Sequence, residues 1–149
     1  RRAGTENVAG VVGFGTAAAL ACERLSADAP RVAGLRDRLE ARLLAIPGAR
    51  RNGEGPRVPN TTNVSFERVE AEDLLIALDL EGIAVSTGAA CAAGGVEPSH
   101  VLRAMGLPPE RVQSSLRLSL GRMTSESDVD HAADVIAAVV ARQRKPTPP

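Results

Sequence analysis

Two short segments in which apolar side chains recur at every second position constrain the fold of this chain most strongly. Residues 60–67 carry Val64 and Phe66 in alternation with polar residues, and residues 114–120, "SSLRLSL", carry three alternating leucines. Successive side chains of a strand point to opposite faces, so each segment predicts a strand with one buried face. A third, shorter strand is predicted at 83–86. The chain is thus expected to contain a small sheet.

Helical spacing of apolar residues accounts for most of the remaining pattern. Predicted helices run over residues 8–25, 31–46, 71–82, 99–105 and 125–144. Ser125 and Asp128 open the last of them in the arrangement of a loose capping box. Helices and short strands alternate without a continuous doubly wound series. We therefore predict an α+β fold in which helices cover a short, largely antiparallel sheet.

Composition limits the kind of partner that such a domain binds. The 149 residues correspond to about one domain, 44% of them are hydrophobic, and there are two Phe but no Tyr or Trp. The core must therefore be aliphatic, and aromatic stacking on bases is excluded. Eighteen basic and eighteen acidic residues cancel, which argues against nucleic acid or an anionic membrane as the main partner. We expect the partner to be a small molecule or another protein.

Cysteine usage and hydropathy predict the compartment. The two cysteines, Cys22 and Cys91, have no paired spacing, which fits a reducing, cytoplasmic location better than a disulfide framework. No uninterrupted apolar run approaches the length of a membrane span. We therefore predict a soluble protein with no membrane contact, and we assign no metal site.

The second cysteine lies in a loop rich in glycine and alanine, "VSTGAACAAGG", residues 85–95. Glycines allow a loop to adopt unusual dihedral angles or to move, so Cys91 is a candidate for a reactive thiol that travels between two positions. The alternative is a small buried side chain, because free cysteines are often buried. Composition alone leaves both interpretations open. Cys22, in contrast, is predicted to lie in the core, on the inner face of a helix.

Several polar residues are candidates for binding. Arg117 alternates with leucines and therefore points to the opposite face, where it is either solvated or a planar fork that binds a carboxylate. Thr5, ahead of a predicted helix, is part of a weak candidate anion site. His100 is expected to be a surface residue. Asn60 and Asn63, at the start of a strand, are expected to shape a turn.

Four segments, taken in order, closely resemble the C-terminal part of cysteine desulfurases of the NifS/IscS type, which are fold-type I pyridoxal-phosphate enzymes of aminotransferase class V. They are "RRAGTENVAGVVGFG", "VPNTTNVSF", "VSTGAACAAGGVEPSHVLRAMG" and "SLRLSLGRMTSESDVDHAADVI". The loop departs from many relatives in having alanines around the cysteine where they carry Ser or Thr. The resemblance implies that residues 1–30 form a helix linking from a larger domain, 31–144 the small C-terminal domain and 145–149 a frayed tail.

The resemblance also implies roles for three residues. Cys91 matches the nucleophile whose thiolate takes sulfur from L-cysteine as a persulfide, with release of L-alanine. Arg117 matches the arginine that holds the substrate carboxylate. Thr5 matches the threonine that reaches the cofactor phosphate of the other subunit in a homodimer. The sulfur would then pass to an acceptor or scaffold protein, as in iron–sulfur cluster assembly.

In enzymes of this kind the cofactor, pyridoxal 5'-phosphate, is bound through a lysine that precedes the region matched here. The only lysine in this sequence is Lys145, in the predicted tail. We therefore expect the chain to be inactive by itself and to act as part of a full-length sulfurtransferase. Two alternatives stay open, namely a stand-alone persulfide carrier or interaction module, and a selenocysteine lyase.

Overall fold

The computed structural model describes residues 3–87 and 98–146. Five helices and three strands follow one another in these ranges: α1 (Val8–Leu44), β1 (Ala49–Arg51), β2 (Thr61–Phe66), α2 (Ala71–Leu80), α3 (His100–Ala104), α4 (Pro109–Gln113), β3 (Ser115–Ser119) and α5 (Glu126–Gln143). The strands form an antiparallel sheet in the order β1-β2-β3. The predicted α+β class, with a small antiparallel sheet covered by helices, is confirmed.

The two strands predicted from alternating apolar residues, and the last helix, lie where the sequence predicts them. β2 and β3 lie within the alternating segments, and Asn63 faces Arg117 across the ladder. Ser125 caps α5 by accepting from the backbone N–H of Asp128, whose carboxylate accepts from the backbone N–H of Ser125 in return. Reciprocal capping of this kind satisfies two amides that a helix start leaves free.

Four elements differ from the sequence prediction. The helices predicted over 8–25 and 31–46 are one continuous helix, α1, with Pro30 inside it. Proline removes one helical hydrogen bond, but long runs of Ala, Leu and Arg on both sides favour the helix. β1 and α4 were not predicted, since strand and helix are each too short to show a period. The segment 83–86 forms only an isolated bridge, at Ser86.

The core is aliphatic, as predicted, and it lies between one face of the sheet and helices α1, α2 and α5. Leu43, Val64, Phe66, Leu116 and Ile136 are completely buried there. They come from α1, β2, β3 and α5, and α2 adds Leu74 and Leu78, so the core fixes these helices against the sheet. Burial of one large aliphatic side chain contributes roughly 1.5–3 kcal/mol to the stability of a fold.

The first half of α1 is not part of that core. Val11, Phe14 and Leu25 are 67%, 78% and 63% exposed, whereas burial begins at Val32. By length and hydropathy alone α1 satisfies the criterion for a membrane-spanning helix. A helix that packs against another domain satisfies it equally, so the absence of membrane contact remains a prediction.

The prediction for Cys22 is wrong, because this side chain is exposed as a free thiol. The apolar residues of 8–25 recur at helical spacing, and the helix face that carries them was predicted to be buried. No other element among residues 3–87 and 98–146 covers that face, and a helical pattern alone does not show which surface is present to cover it.

A buried carboxylate ties α1 to the chain that leads into β2. Glu40, which is 6% exposed, accepts hydrogen bonds from the guanidinium of Arg57, in the connection between β1 and β2, and from the hydroxyl of Thr62 in β2. These bonds, those from Arg57 above all, lower the pKa of Glu40 to about 2. The pair fixes the start of β2, and β2 carries the residues considered next.

Acidification is therefore expected to destabilise the protein through Glu40. A pKa that folding lowers from 4.5 to about 2 stabilises the folded state above about pH 5, and this contribution is lost as the pH falls toward 2. We expect the Glu40 contribution to fall by about 2 kcal/mol between pH 7 and pH 3. The measurement is the free energy of unfolding by urea across this range.

The matched control for that series is Glu54→Gln, which alters an exposed glutamate and is expected to reproduce the wild-type curve. Glu40→Gln is expected to be less stable than wild type at pH 7 and to lose less stability on acidification. A Glu40→Gln protein with the wild-type pH dependence would show that Glu40 is not the group that titrates.

Candidate functional site: the polar face of the sheet

The face of the sheet opposite the core carries polar side chains. Cross-strand partners share a face, and the register pairs Thr61 with Ser119, Asn63 with Arg117 and Ser65 with Ser115. Residues 116 and 118 point the other way and are buried, whereas Arg117 and Ser119 are exposed. The alternation of residues 60–67 and 114–120 therefore puts the apolar side chains on the core face and the polar side chains on the opposite face.

Arg117 lies where the sheet meets the segment leading to the cysteine loop. The backbone N–H of Arg117 donates to the carbonyl of Ser86 at 2.6 Å, and the backbone N–H of Ser86 donates back at 3.1 Å. The guanidinium also donates to the hydroxyl of Ser86 at 3.4 Å. The chain is thus fixed beside Arg117 one residue before Thr87, the last residue described ahead of Cys91.

Cys91 itself lies outside the described residues, so the two interpretations of its environment are not decided by the structure. Thr5 is exposed, two residues before Asn7, which caps α1 by accepting from the backbone N–H of Gly10 at 2.9 Å. No hydrogen bond among the described residues connects Arg117 with Thr5. The structure thus brings Arg117 to Ser86 and leaves Thr5 at the exposed start of α1.

A closed hydrogen-bond network supports the other side of this face. Arg111 donates to Oδ1 of Asn52 at 2.5 Å, and Nδ2 of Asn52 donates to Oδ1 of Asn63 at 2.7 Å and to the hydroxyl of Ser115 at 2.8 Å. Ser115, which is fully buried, donates to the carbonyl of Arg111. Both polar atoms of the Asn52 side chain are used, so the network fixes the orientation of its amide.

The sequence analysis did not find this network. Asn63 was interpreted as a turn residue, but it lies within β2 and bonds across the sheet. Asn60 is the residue at the turn, where its carbonyl accepts from the backbone N–H of Leu120 and its side-chain Nδ2 donates to the carbonyl of Leu120, just after β3. One sequence feature could have indicated that Asn63 and Arg117 share a face. Both are polar residues next to buried apolar residues in the two alternating segments, so both are expected on the face opposite the core.

The remaining titratable candidates lie on the surface. His100 and His131 are exposed, which for His100 is the expected result. Lys145 makes an ion pair with Glu70 at 3.1 Å, and its backbone N–H donates to the carbonyl of Arg68. The single lysine of the chain is therefore held at the end of α5.

Comparison with known proteins identifies the family. The family model described as "Aminotransferase class-V" matches residues 1–132. The chain belongs to the class-V aminotransferase family. Its helices and sheet match those of a NifS-like protein from Rickettsia africae with a TM-score of 0.82 and 31% identity, over 94% of this chain and 36% of that one.

Relatives of this class-V chain include proteins named cysteine desulfurase. It is 47% identical to the cysteine desulfurase of Nostoc sp. over 99% of its own length, and 47% identical to the cysteine desulfurase IscS of Methanosarcina thermophila, also over 99%. It spans 38% and 37% of those proteins. The resemblance to the NifS/IscS type stated above is confirmed for the sequence, and the chain spans less than two fifths of these curated relatives.

Proposed function

We propose that the full-length protein is a pyridoxal-phosphate-dependent cysteine desulfurase, with Cys91 as the sulfur acceptor and Arg117 as the group that holds the substrate carboxylate. The observation that carries the proposal is the pairing of Arg117 with Ser86. It puts a carboxylate-binding side chain at the root of the loop that bears the cysteine. The names of the relatives, given above, provide the reaction class.

The short separation in sequence between Thr87 and Cys91 supports the roles proposed for Cys91 and Arg117. Cys91 follows Thr87 by four residues, and a chain spans at most about 3.6 Å per residue, or about 14 Å here. A thiol on such a tether remains within reach of a substrate held at Arg117. Its thiolate attacks the sulfur of L-cysteine, so that an S–S bond forms and the C–S bond breaks. The carbon takes up a proton and leaves as L-alanine.

The residues of this chain do not supply covalent attachment for the cofactor. Pyridoxal phosphate is held by an imine to a lysine and acts as an electron sink when bound. The only lysine, Lys145, is paired with Glu70 at the end of α5. We therefore assign the cofactor lysine to a part of the full-length protein outside this chain.

The wider context is proposed in the same way. The protein is placed in the cytoplasm as a homodimer, in which Thr5 contacts the cofactor phosphate of the other subunit. The exposed start of α1, with Val11 and Phe14, suits a surface that is covered in the full-length protein. A sulfur-acceptor or scaffold protein, of the kind used in iron–sulfur cluster assembly, receives the persulfide.

The test compares the full-length protein and this chain alone, each with pyridoxal phosphate, L-cysteine and a thiol reductant, which releases the persulfide sulfur as sulfide and is itself oxidised to a disulfide. We expect the full-length protein to form alanine and sulfide in equal amounts and the chain alone to form neither. Turnover by this chain alone would overturn the assignment of the lysine. A full-length protein that accepts persulfide sulfur but never forms alanine would be a carrier, and a strong preference for selenocysteine would identify a lyase.

A further inference from the structure

We propose that Asn63 is a second donor to the substrate carboxylate, next to Arg117. This inference rests on the proposed function and adds to it a residue that determines specificity for an α-carboxylate. It starts from the register of β2 and β3, in which Asn63 and Arg117 are direct partners. Side chains of such partners lie on one face with Cβ atoms about 4.5–5.5 Å apart.

The orientation of the Asn63 amide follows from the network behind it. A guanidinium only donates hydrogen bonds, so the atom of Asn52 that meets Arg111 at 2.5 Å is its oxygen. The nitrogen of Asn52 must then be the atom that meets Asn63 at 2.7 Å. Asn63 therefore accepts with its oxygen on the Asn52 side of the sheet.

The same chain of bonds leaves the amide nitrogen of Asn63 available. Among residues 3–87 and 98–146, no hydrogen bond uses Nδ2 of Asn63 as donor. Arg117 lies on the other side of Asn63 from Asn52, since β2 is the central strand and its neighbours are β1 and β3. An amide donor and a guanidinium are thus adjacent on a half-exposed surface, and within the described part of the chain no carboxylate pairs with either of them.

A carboxylate satisfies both groups at once. Its two oxygens offer about four acceptor positions, of which an arginine fork uses two. A further N–H from Asn63 binds a third, and the Asn52 network holds that N–H in place before the substrate arrives. Donors that are fixed in advance cost little reorganisation on binding. A substrate without the carboxylate gains nothing from either residue.

Asn63→Asp in the full-length protein tests the inference. The aspartate oxygen still accepts from Asn52, but the donor is replaced by an anion that pairs with Arg117 and repels the substrate. We expect KM for L-cysteine to rise by about 10- to 100-fold, with kcat changed much less. Asn63→Ala, which removes the donor without adding charge, is expected to raise KM less than Asn63→Asp does.

A binding measurement separates this effect from catalysis. Calorimetry with L-alanine is expected to show affinity weakened by Asn63→Asp, whereas the affinity for L-alanine amide, which has no carboxylate, is expected to stay the same. Thr61→Val, on the same face two residues away, is the control and should leave both affinities at the wild-type value. Equal unfolding midpoints establish that all variants are folded.

Two outcomes would overturn the inference. One is a KM and an L-alanine affinity within about twofold of wild type in both folded Asn63 variants. The other is a loss of affinity that is the same for L-alanine and its amide. Failure of the proposed function looks different, because wild-type protein would then form no alanine and sulfide, while the calorimetric comparison would still report on Asn63.

Discussion

Replacing Cys91 with serine is expected to abolish sulfide and alanine formation by the full-length protein, with kcat lowered by about 10³-fold or more. The thiolate is the nucleophile in sulfur transfer, and a hydroxyl at the same place is neither ionised nor able to form a persulfide. Cofactor binding should be unchanged, because this side chain acts on the substrate. The measurements are alanine and sulfide release and the absorption band of the bound cofactor.

Cys22→Ser is the matched control for that substitution. It makes the same chemical change at the other cysteine, which is exposed on α1 and has no assigned role. The control is expected to keep wild-type activity. Persulfide trapping should label Cys91 and not Cys22. Normal sulfide production by the Cys91→Ser protein would refute the assignment of the nucleophile.

Arg117→Ala is expected to raise KM for L-cysteine by about 10- to 150-fold, which corresponds to the ~1.5–3 kcal/mol of a hydrogen bond to a charged group. The side chain is exposed and lies outside the core, so the free energy of unfolding should change little. Arg117→Lys keeps the charge but loses the fork, and we expect it to recover only part of the affinity. Steady-state kinetics and urea denaturation provide the two readouts.

Arg103→Ala is the control for the loss of positive charge, since Arg103 is an exposed arginine on α3. It should leave KM unchanged. An Arg117→Ala protein with wild-type KM and a lowered kcat would place this guanidinium in the chemical step, and one with unchanged kinetics would remove it from the site.

Sequence patterns predicted the elements that have a strong period. The alternation around Val64 and the leucines of "SSLRLSL" located β2 and β3, and the capping residues Ser125 and Asp128 located the start of α5. The same alternation put Arg117 on the face opposite the core. These features depend on local geometry, which the sequence specifies residue by residue.

Other features depend on what surrounds a residue. The role of Asn63 follows from a bond to Asn52, eleven residues away, and no local pattern predicts such a partner. Cys22 was placed in a core because its helix has an apolar face, yet the surface that would cover that face is not among the residues described here. The continuity of α1 through Pro30 likewise reflects a balance between one lost hydrogen bond and many good helix formers.

One face of the sheet is apolar and buried and the other is polar, and this separation affects how such domains can diversify. Substitutions at Asn63 or Arg117 alter the surface to which we assign carboxylate binding, while Val64 and Leu116, on neighbouring positions of the same strands, keep the fold intact. Replacing residues on the polar face is therefore expected to change the preferred anion with little loss in the free energy of unfolding. A scaffold with this property is also a convenient starting point for laboratory evolution.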